Sequence, residues 1–228
     1  MKVLIIDVGG TNVKFRATGH KTARSFPSGA KLTPRQMVRG VKELAADWKY
    51  DAVTIGYPGV IKNGRVVKEP QNLAPGWVGF NFKGAFGCPV KVINDAAMQA
   101  LGSYKRGLML FLGLGTGLGS ALIADGVVVP LDLAHLSYKH GSYEHYMGLR
   151  GLKRLGKSRW RKHVADVAKR FMAAIHPDDL VLGGGVAKDL GKPPKGCRMG
   201  DNADAFLGGS RLWENAYKTK GTRNGSYH

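Results

Sequence analysis

Two stretches of the chain, 2–15 and 108–123, share one pattern of apolar and polar positions. In each, a short apolar run enters a turn rich in glycine and threonine, and strand-like residues resume at once. The pattern predicts two strands joined by a tight turn in both places. The turns, Gly9-Gly10-Thr11 and Gly115-Thr116-Gly117, expose backbone N–H groups and a threonine hydroxyl that can hold a phosphate. Two such turns indicate two halves of the protein that bind one polyphosphate group between them. This arrangement is the one expected of an enzyme that transfers a phosphoryl group.

Further elements follow from apolar periodicity and turn residues. Thr33-Pro34 is a typical helix start, and Asn63-Gly64 predicts a two-residue hairpin turn. The helix after Pro34 is predicted to bury one face, made of Val38, Val41, Leu44, Ala45 and Trp48. Short strands are predicted at 52–55 and 90–93, and a helix follows the second of them to about Tyr104.

The rest of the chain also alternates strand and helix. Residues 142–175 predict two helices, and 180–186 predict a buried strand that ends in three glycines with a helix after it. This order predicts an α/β architecture with two related halves and a ligand cleft between them. The predicted lobes are 1–105 and 106–228, and the C-terminal helix is a candidate to pack back on the first. The basic tail, 218–228, is expected to be poorly ordered.

Length and composition allow a well-buried core, because the chain has 228 residues and 43% of them are hydrophobic. No segment approaches the ~20 apolar residues of a membrane span, and the N-terminus lacks a signal-peptide pattern. A cytoplasmic location without a membrane partner is therefore expected. The two cysteines, Cys88 and Cys197, are too few and too far apart for a disulfide framework or a cysteine-rich zinc site.

The charge is strongly basic, with 35 Lys and Arg against 16 Asp and Glu and a net charge of +19. Ten of the cations fall in residues 139–170, beside only two acids. Such an excess attracts polyanions: nucleic acid, inorganic polyphosphate or an anionic membrane. A solvated, solubilising surface accounts for most of the individual residues, but not for the whole excess.

Asp7 ends the first strand beside its glycine turn. A carboxylate there can hold a hydrated Mg²⁺ next to phosphate oxygens; the alternative is an aspartate that accepts hydrogen bonds from its own turn. The residues predicted to bind phosphate or nucleotide are Gly9, Gly10, Thr11, Lys14, Gly115, Thr116, Gly117, Gly183, Gly184 and Gly185. The last three end a strand before a predicted helix, where they either admit a nucleotide or allow close packing.

Asp95 follows a short strand, at the strand end where α/β sites are usually built. A carboxylate there can accept the proton of a sugar hydroxyl as it attacks a phosphoryl group, and Asn94 can bond to a hydroxyl. The alternative is that Asp95 caps the helix that starts at Ala96, which on this feature alone is the commoner role.

Asp132 and His135 are three residues apart, a spacing that suits adjacent sugar hydroxyls. A local hydrogen-bonded pair is the commoner outcome, and a histidine can also bind a metal, although no cysteine lies nearby to suggest zinc. Trp77 either lines a sugar pocket or lies in the core, where tryptophan is found more often.

Taken in order, seven segments of the chain resemble the ROK (repressor, open reading frame, kinase) family of sugar kinases. They are Asp7-Val-Gly-Gly-Thr11, Gly56-Tyr-Pro-Gly59, Asn72-Leu-Ala-Pro-Gly-Trp77, Asn94-Asp95, Gly113-Leu-Gly-Thr-Gly-Leu-Gly119, Asp132-Leu-Ala-His135 and Leu182-Gly-Gly-Gly185. The resemblance implies a two-lobed actin-like ATPase fold, which is ribonuclease H-like and of the hexokinase type. It also implies Asp95 as the catalytic base, and the substrate-binding residues Asn72, Asn94, Asp132 and His135.

Within the family, the chain looks most like the polyphosphate glucokinase branch. The usual zinc motif, Cys-x-Cys-Gly-x-x-Gly-Cys, is replaced by Ser142-Tyr-Glu-His-Tyr-Met-Gly148 and a basic helical passage. The resemblance therefore implies a kinase without zinc. One departure concerns the sugar: the family has Glu-Leu-Gly-His where this chain has Asp132-Leu-Ala-His135, with a carboxylate one methylene shorter.

The expected function is transfer of the terminal phosphoryl group of ATP or polyphosphate to a hexose, most simply glucose, with Mg²⁺ held near Asp7 through water. Expected partners are the hexose, the polyanionic donor and a second copy of the chain, because relatives are often dimers. A non-catalytic sugar-responsive regulator is one alternative, but ROK repressors carry an N-terminal helix-turn-helix and this chain opens on the phosphate strand. A nucleic-acid-binding protein is the other, and no RNA- or DNA-binding motif supports it.

Overall fold

The computed structural model describes residues 1–214 and 218–219. The strands are β1 Val3–Val8, β2 Asn12–Ala17, β3 Arg24–Pro27, β4 Ala52–Tyr57, β5 Ile61–Lys62, β6 Arg65–Val66, β7 Val90–Asn94, β8 Leu108–Leu114, β9 Leu118–Ala124, β10 Val127–Leu131, β11 Ser137–Tyr138, β12 Gly141–Ser142, β13 Asp179–Gly183, β14 Cys197–Met199 and β15 Lys218–Thr219. The helices are α1 Pro34–Leu44, α2 Phe82–Phe86, α3 Asp95–Ser103, α4 Tyr143–Met147, α5 Leu149–Ile175 and α6 Asp204–Arg211, with one 3₁₀ turn at Ala187–Leu190.

The two large sheets repeat one topology. The first has the strand order β3-β2-β1-β4-β7, and the second has β10-β9-β8-β13-β14 with β15 added beside β10. In each sheet the first three strands form an antiparallel meander, and the last two run parallel to the strand that begins it. The two predicted phosphate turns therefore occupy equivalent places, between the first and second strands of each sheet. The expectation of two related halves is confirmed at the level of topology.

Three apolar clusters hold these layers together. One packs α1 and α2 on the first sheet, and another packs α5 on the second sheet. The third lies around α3 and α6 and joins residues of both sheets, such as Ile5 of β1 and Phe111 of β8. Burial of apolar surface stabilises a fold by about 25 cal/mol for each Å² removed from water. Because the third cluster is shared, it fixes the position of one sheet relative to the other.

Helix α6, the last helix of the described chain, packs against the first sheet. Its backbone passes so close to α3 that a Cβ on Gly208 would collide with the carbonyl oxygen of Met98. The buried hydroxyl of Thr54, on β4, donates to the carbonyl oxygen of Gly209 at 2.7 Å. The close contact of α6 with α3 at Gly208 thus holds α6 against the first half of the chain.

Most local predictions agree with the structure. Thr33 caps α1 in a capping box with Gln36, and the Asn63-Gly64 turn has positive φ at both residues, 50° and 70°. The helical passage at 142–175 consists of α4 and α5, and α5 is interrupted at Gly156, where φ is 72°, so three helical segments are present where two were predicted. The predicted strand at the end of this region is β13.

Two other local predictions are wrong. Leu44 does not lie on the buried face of α1, because it is 43% exposed and Met37 packs inward instead. The glycine-ended strand β13 is followed by a single 3₁₀ turn and not by a helix, so no helix N-terminus faces a ligand there. Of the predicted poorly ordered tail, residues 220–228 lie outside the described part of the chain.

The helices of the described residues include none that is both long enough and apolar enough to span a membrane.

Candidate active site

A cavity of about 740 Å³ is lined by residues from both large sheets. It contains most of the residues that the sequence singled out. From the first half these are Asp7, Gly9, Gly10, Lys14, Asn72, Asn94 and Asp95. From the second half they are Gly115, Thr116, Gly117, Asp132, His135, Gly184 and Gly185. Both phosphate turns and the predicted catalytic carboxylate therefore open into the same space.

The register of the first sheet explains how Asp7 and Asp95 come to share the cavity. Strand β4 lies between β1 and β7, and at the level of Asp7 it carries Gly56. A side chain on Gly56 would collide with Met98 of α3, which occupies that space. The missing side chain thus allows the first turn of α3, and Asp95 with it, to lie close to the strand beside Asp7.

The two carboxylates have raised pKa values. Burial raises the pKa of Asp95 to about 7, and the negative charge of Asp7 adds to this effect. Burial also raises the pKa of Asp7 to about 6, while Lys14, its cross-strand partner, opposes the rise. A carboxylate whose pKa lies near neutral pH is suited to accept and release a proton.

The N-cap of α3 is Asn94, so Asp95 does not have the capping role considered for it. The Oδ1 of Asn94 accepts from the backbone N–H of Ala97 at 3.1 Å. Its amide also donates to the carbonyl oxygen of Gly59 at 3.1 Å, so two of its bonds are structural. The Asp95 carboxylate accepts from the N–H of its neighbour Ala96 at 2.8 Å and also interacts with its own backbone N–H. The same side chain lines the cavity, where it can contact a ligand.

Tight turns shape both phosphate-binding candidates. The N–H of Gly9 donates to the carbonyl oxygen of Asn12 at 3.0 Å, and the N–H of Gly115 donates to that of Gly117 at 3.1 Å. A Cβ on Gly117 would collide with the carboxylate of Glu144. Glycine at this position therefore lets the Glu144 carboxylate lie directly against the turn.

Asp132 and His135 lie at an exposed part of the cavity. Their side chains are 64% and 67% exposed, and Asp132 Oδ2 lies 3.9 Å from His135 Nε2. A pair this open contributes little to stability, so both side chains are free to bind a ligand instead. The two residues follow β10, so the second sheet brings them to the cavity that residues of the first sheet also line.

A family model described as "ROK family" matches residues 3–130, which is more than half of the chain. The chain belongs to the ROK family. It is 27% identical over 209 residues to a polyphosphate glucokinase of Mycobacterium tuberculosis, covering 82% of this chain and 78% of that protein. It is 26% identical to a kanosamine kinase of Amycolatopsis mediterranei, covering 81% and 80%. Both of these ROK relatives are named as sugar kinases.

Solved structures identify the fold of this ROK chain. The inorganic polyphosphate/ATP-glucomannokinase of Arthrobacter sp. strain KM superposes with a TM-score of 0.78 at 23% identity, covering 92% of this chain and 96% of that one. The fold is therefore the actin-like ATPase fold, as the resemblance implied. It accounts for the repeated sheet topology and for a cavity at the turns of both sheets.

Two cavity residues escaped the sequence analysis of this ROK protein. Glu144 lies in the first turn of α4, and its N–H donates to the carbonyl oxygen of Ala134 at 3.0 Å. One signal was available, since Glu144 is one of only two acids among the cations of residues 139–170. Glu69 had no local signal, because the groups it binds follow it by several residues.

Glu69 organises the loop that carries Asn72. Its carboxylate accepts from the backbone N–H groups of Gly76, Trp77 and Val78, at 3.1, 3.0 and 3.2 Å. Burial raises the pKa of Glu69, but these three hydrogen bonds outweigh it and leave the pKa below its usual range. Asn72 thereby lies against Gly10, so the loop meets the first phosphate turn.

Three residues considered from sequence do not line the cavity: Thr11, Gly183 and Trp77. Thr11 is exposed, and its carbonyl oxygen accepts from Ser28. Gly183 packs against the Phe111 ring. Trp77 is fully buried in the core of the first half, which is the commoner of the two roles considered.

The donor set at Asp7 fits a hydrated magnesium ion. Asp7 is a partly buried carboxylate beside the N–H groups of a phosphate turn, and Mg²⁺ typically keeps its waters and takes one or two carboxylates. Within residues 1–214 and 218–219, no group of three or more His, Cys, Asp or Glu side chains could hold a metal by itself. Any metal here would therefore share its coordination with water and phosphate.

Proposed function

We propose that this ROK protein is a hexose kinase that transfers the terminal phosphoryl group of polyphosphate or ATP to a sugar, with glucose as the first candidate. The observation that carries the proposal is the common cavity, in which Asp95 faces a space bordered by the phosphate turns of both sheets. Phosphoryl transfer needs an oriented hydroxyl, a base and donors on the phosphate oxygens, and this arrangement offers all three.

Asp95 is proposed as the base. A sugar hydroxyl within reach of its carboxylate attacks the terminal phosphorus, and an O–P bond forms as the bond to the leaving phosphate oxygen breaks. The hydroxyl proton passes to Asp95, whose pKa near 7 allows it to accept the proton and later lose it to water. The repulsion from Asp7 makes the ionised form of Asp95 a stronger base.

The glycine turns are proposed to hold the donor. Backbone N–H groups at Gly10 and Gly117 border the cavity, and their positions are fixed by the tight turns. Such donors cost no reorganisation when charge develops on the phosphoryl oxygens. Lys14 adds a positive charge on the same wall. Mg²⁺ held by Asp7 through water would neutralise further phosphate charge when bound.

The sugar is proposed to lie between the 69–78 loop and the turn after β10. Asn72, Asp132, His135 and Glu144 offer carboxylate, amide and imidazole groups around this part of the cavity. Three of them belong to the second half and one to the first. We propose that residues 1–105, together with α6, form one lobe and the remainder the other, and that closure of the lobes on the sugar excludes water.

Polyphosphate is favoured as donor by two observations. The Mycobacterium tuberculosis relative is named a polyphosphate glucokinase, and it aligns over 82% of this chain. The net charge of +19 also suits a long polyanion better than a single nucleotide.

A coupled assay tests the proposal with glucose, mannose, fructose and N-acetylated hexosamines, each with ATP and with long-chain polyphosphate. We expect turnover of at least one hexose, and loss of that turnover in Asp95→Asn. Asp51→Asn, an exposed aspartate outside the cavity, is the matched control. Absence of phosphorylation with every sugar and donor, in protein that is folded and binds sugar, would replace the kinase with a sugar-binding regulator.

A further inference from the structure

A second concave site lies outside the active-site cavity, on the outer face of α5. It is a groove of about 390 Å³ between the β11 region and α5, and we call it the α5 groove. Four cationic side chains line it: Lys139, Arg159, Lys162 and Arg170. None of them lines the active-site cavity.

The charge of the α5 groove is mostly uncompensated. Its one acid, Asp166, is already bonded to Arg170, with Nε to Oδ2 at 3.0 Å, and to the Tyr138 hydroxyl at 2.8 Å. The ion pairs among residues 1–214 and 218–219 do not include Lys139, Arg159 or Lys162. Three exposed cations therefore converge on one groove, and the only acid among its lining residues, Asp166, interacts with Lys139 at longer range and is already hydrogen-bonded to Arg170.

The floor of the groove is a fixed polar network. The Tyr138 hydroxyl has one proton, which it donates to Asp166, so its 3.0 Å contact with His163 requires Nδ1 of His163 to be the donor. His163 therefore presents Nε2 as its remaining polar atom, which becomes a further donor when the ring is protonated. The network holds these side chains in place before any ligand arrives.

The groove lacks an open surface for a nucleobase. Its tyrosine, Tyr138, is only 4% exposed and stacks on Tyr143 at a ring distance of 5.2 Å. The cations of Arg170 and Lys139 lie over its ring at 5.5 and 5.8 Å. Single-stranded nucleic acids bind by stacking bases on exposed aromatic rings. The imidazole of His163 is half-buried and already packs on the rings of Tyr138 and Tyr146, at 5.8 and 4.8 Å. A phosphate chain without bases suits the groove better.

The α5 groove and the active-site cavity are close along the chain. His135 lines the cavity and Tyr138 lines the groove, and three residues span at most about 11 Å between Cα atoms. The second connection runs through α4, where Tyr143 stacks on Tyr138 and its neighbour Glu144 lines the cavity. One polyanion of sufficient length can therefore contact both.

We propose that the α5 groove is a second phosphate site, which binds a remote segment of a linear polyphosphate whose end occupies the active-site cavity. The inference rests on the proposed kinase function for the catalytic end of that chain. A donor that ends after three phosphoryl groups offers no further anionic groups to the groove. The groove would therefore favour long polyphosphate over ATP or tripolyphosphate without touching the reacting atoms.

The test compares the double variant Arg159→Gln/Lys162→Gln with wild type. Both side chains are exposed, so the fold should persist, which matching thermal unfolding curves would establish. The control, Lys21→Gln/Lys49→Gln, removes the same charge at exposed positions outside the groove and the cavity. We expect the KM for long-chain polyphosphate to rise about 5- to 20-fold in the groove variant, because two charge-assisted contacts are lost. The kcat, and the KM for ATP and tripolyphosphate, should remain within about twofold of wild type in both variants.

Direct binding separates this proposal from the kinase proposal. Long-chain polyphosphate and a single-stranded oligonucleotide of similar charge are titrated by calorimetry over a range of salt concentrations, with no sugar present. We expect weaker polyphosphate binding and a shallower salt dependence in the groove variant, and unchanged behaviour in the control. This result would support the groove even if no hexose were phosphorylated. Equal polyphosphate binding by wild type and groove variant would overturn it, as would a groove-dependent preference for the oligonucleotide.

Discussion

Asp7 lies on β1 and Asp95 begins α3 directly after β7, with β4 between these two strands, and the two carboxylates border the same cavity. The charge of Asp7 contributes to a pKa of about 7 at Asp95. Asp7 thus lies beside a phosphate turn, while Asp95 is close to half protonated at neutral pH. This pairing connects the sheet topology to the proposed chemistry.

Replacement of Asp95 by asparagine should abolish most turnover and leave the fold intact. Asparagine can keep the hydrogen bond from the Ala96 N–H but cannot accept the hydroxyl proton. General-base catalysis contributes about 10²- to 10⁴-fold, so kcat should fall by this factor while sugar binding persists. Steady-state kinetics combined with calorimetric sugar binding checks this. Near-normal kcat in Asp95→Asn would show that another group is the base.

The same substitution should raise stability in a pH-dependent way. The folded-state pKa of Asp95 is about 7, above its ordinary value of 3.8, so ionised Asp95 destabilises the fold and protonated Asp95 does not. The cost is absent well below pH 3.8, is still small at pH 4, grows as pH rises, and is complete above pH 7. Asp95→Asn should therefore raise Tm by about 2–6 °C at pH 8 and by almost nothing at pH 4. Scanning calorimetry at both pH values tests this, and an equal shift at both would contradict the assigned origin.

Activity should depend on pH through the same pair. The base must be ionised, so kcat/KM should fall as pH drops through about 7. In Asp7→Asn, removal of the neighbouring charge lowers the pKa of Asp95, and the acidic limb should move to lower pH although the maximum rate also falls. The pH profiles of wild type and variant measure this. A limb that stays in place would mean that Asp7 does not act on the titrating group.

Glu69→Gln should impair sugar binding more than the chemical step. The neutral amide is a weaker acceptor for the three N–H groups of residues 76–78, so the loop that positions Asn72 should become less ordered. The KM for sugar should rise about tenfold with little change in kcat. Glu43→Gln, at an exposed site on α1, should leave both values unchanged. An unchanged KM in Glu69→Gln would remove Glu69 from the positioning of the loop.

Gly208→Ala should destabilise the whole fold. The added Cβ would collide with the Met98 carbonyl oxygen and force α6 away from α3. Overpacking of this kind costs about 1–3 kcal/mol or more, and α6 contributes to the core shared by both sheets. Urea unfolding measures the loss. Leu207→Ala, in the same helix but 43% exposed, is the control and should change stability much less.

Predictions from sequence were most accurate where the signal is local. The turns at Gly9-Gly10 and Asn63-Gly64 and the cap at Thr33 depend on residues within a few positions of each other, and all three were confirmed. The exposed Leu44 was missed because helical periodicity does not say where the neighbouring sheet ends. The role of Asn94 as the cap also needed the structure, since either it or Asp95 could fill that position.

The sequence by itself determined the strands, the paired glycine turns, the basic excess and the candidates Asp7 and Asp95, because each is a property of a short segment or of composition. Only the tertiary structure decided which of these residues meet. Contacts between distant segments bring the two turns to one cavity and form the α5 groove. They also allow Glu69 to accept hydrogen bonds from the loop that carries Asn72. Such contacts are fixed by burial in a common core, and no short stretch of sequence encodes that burial.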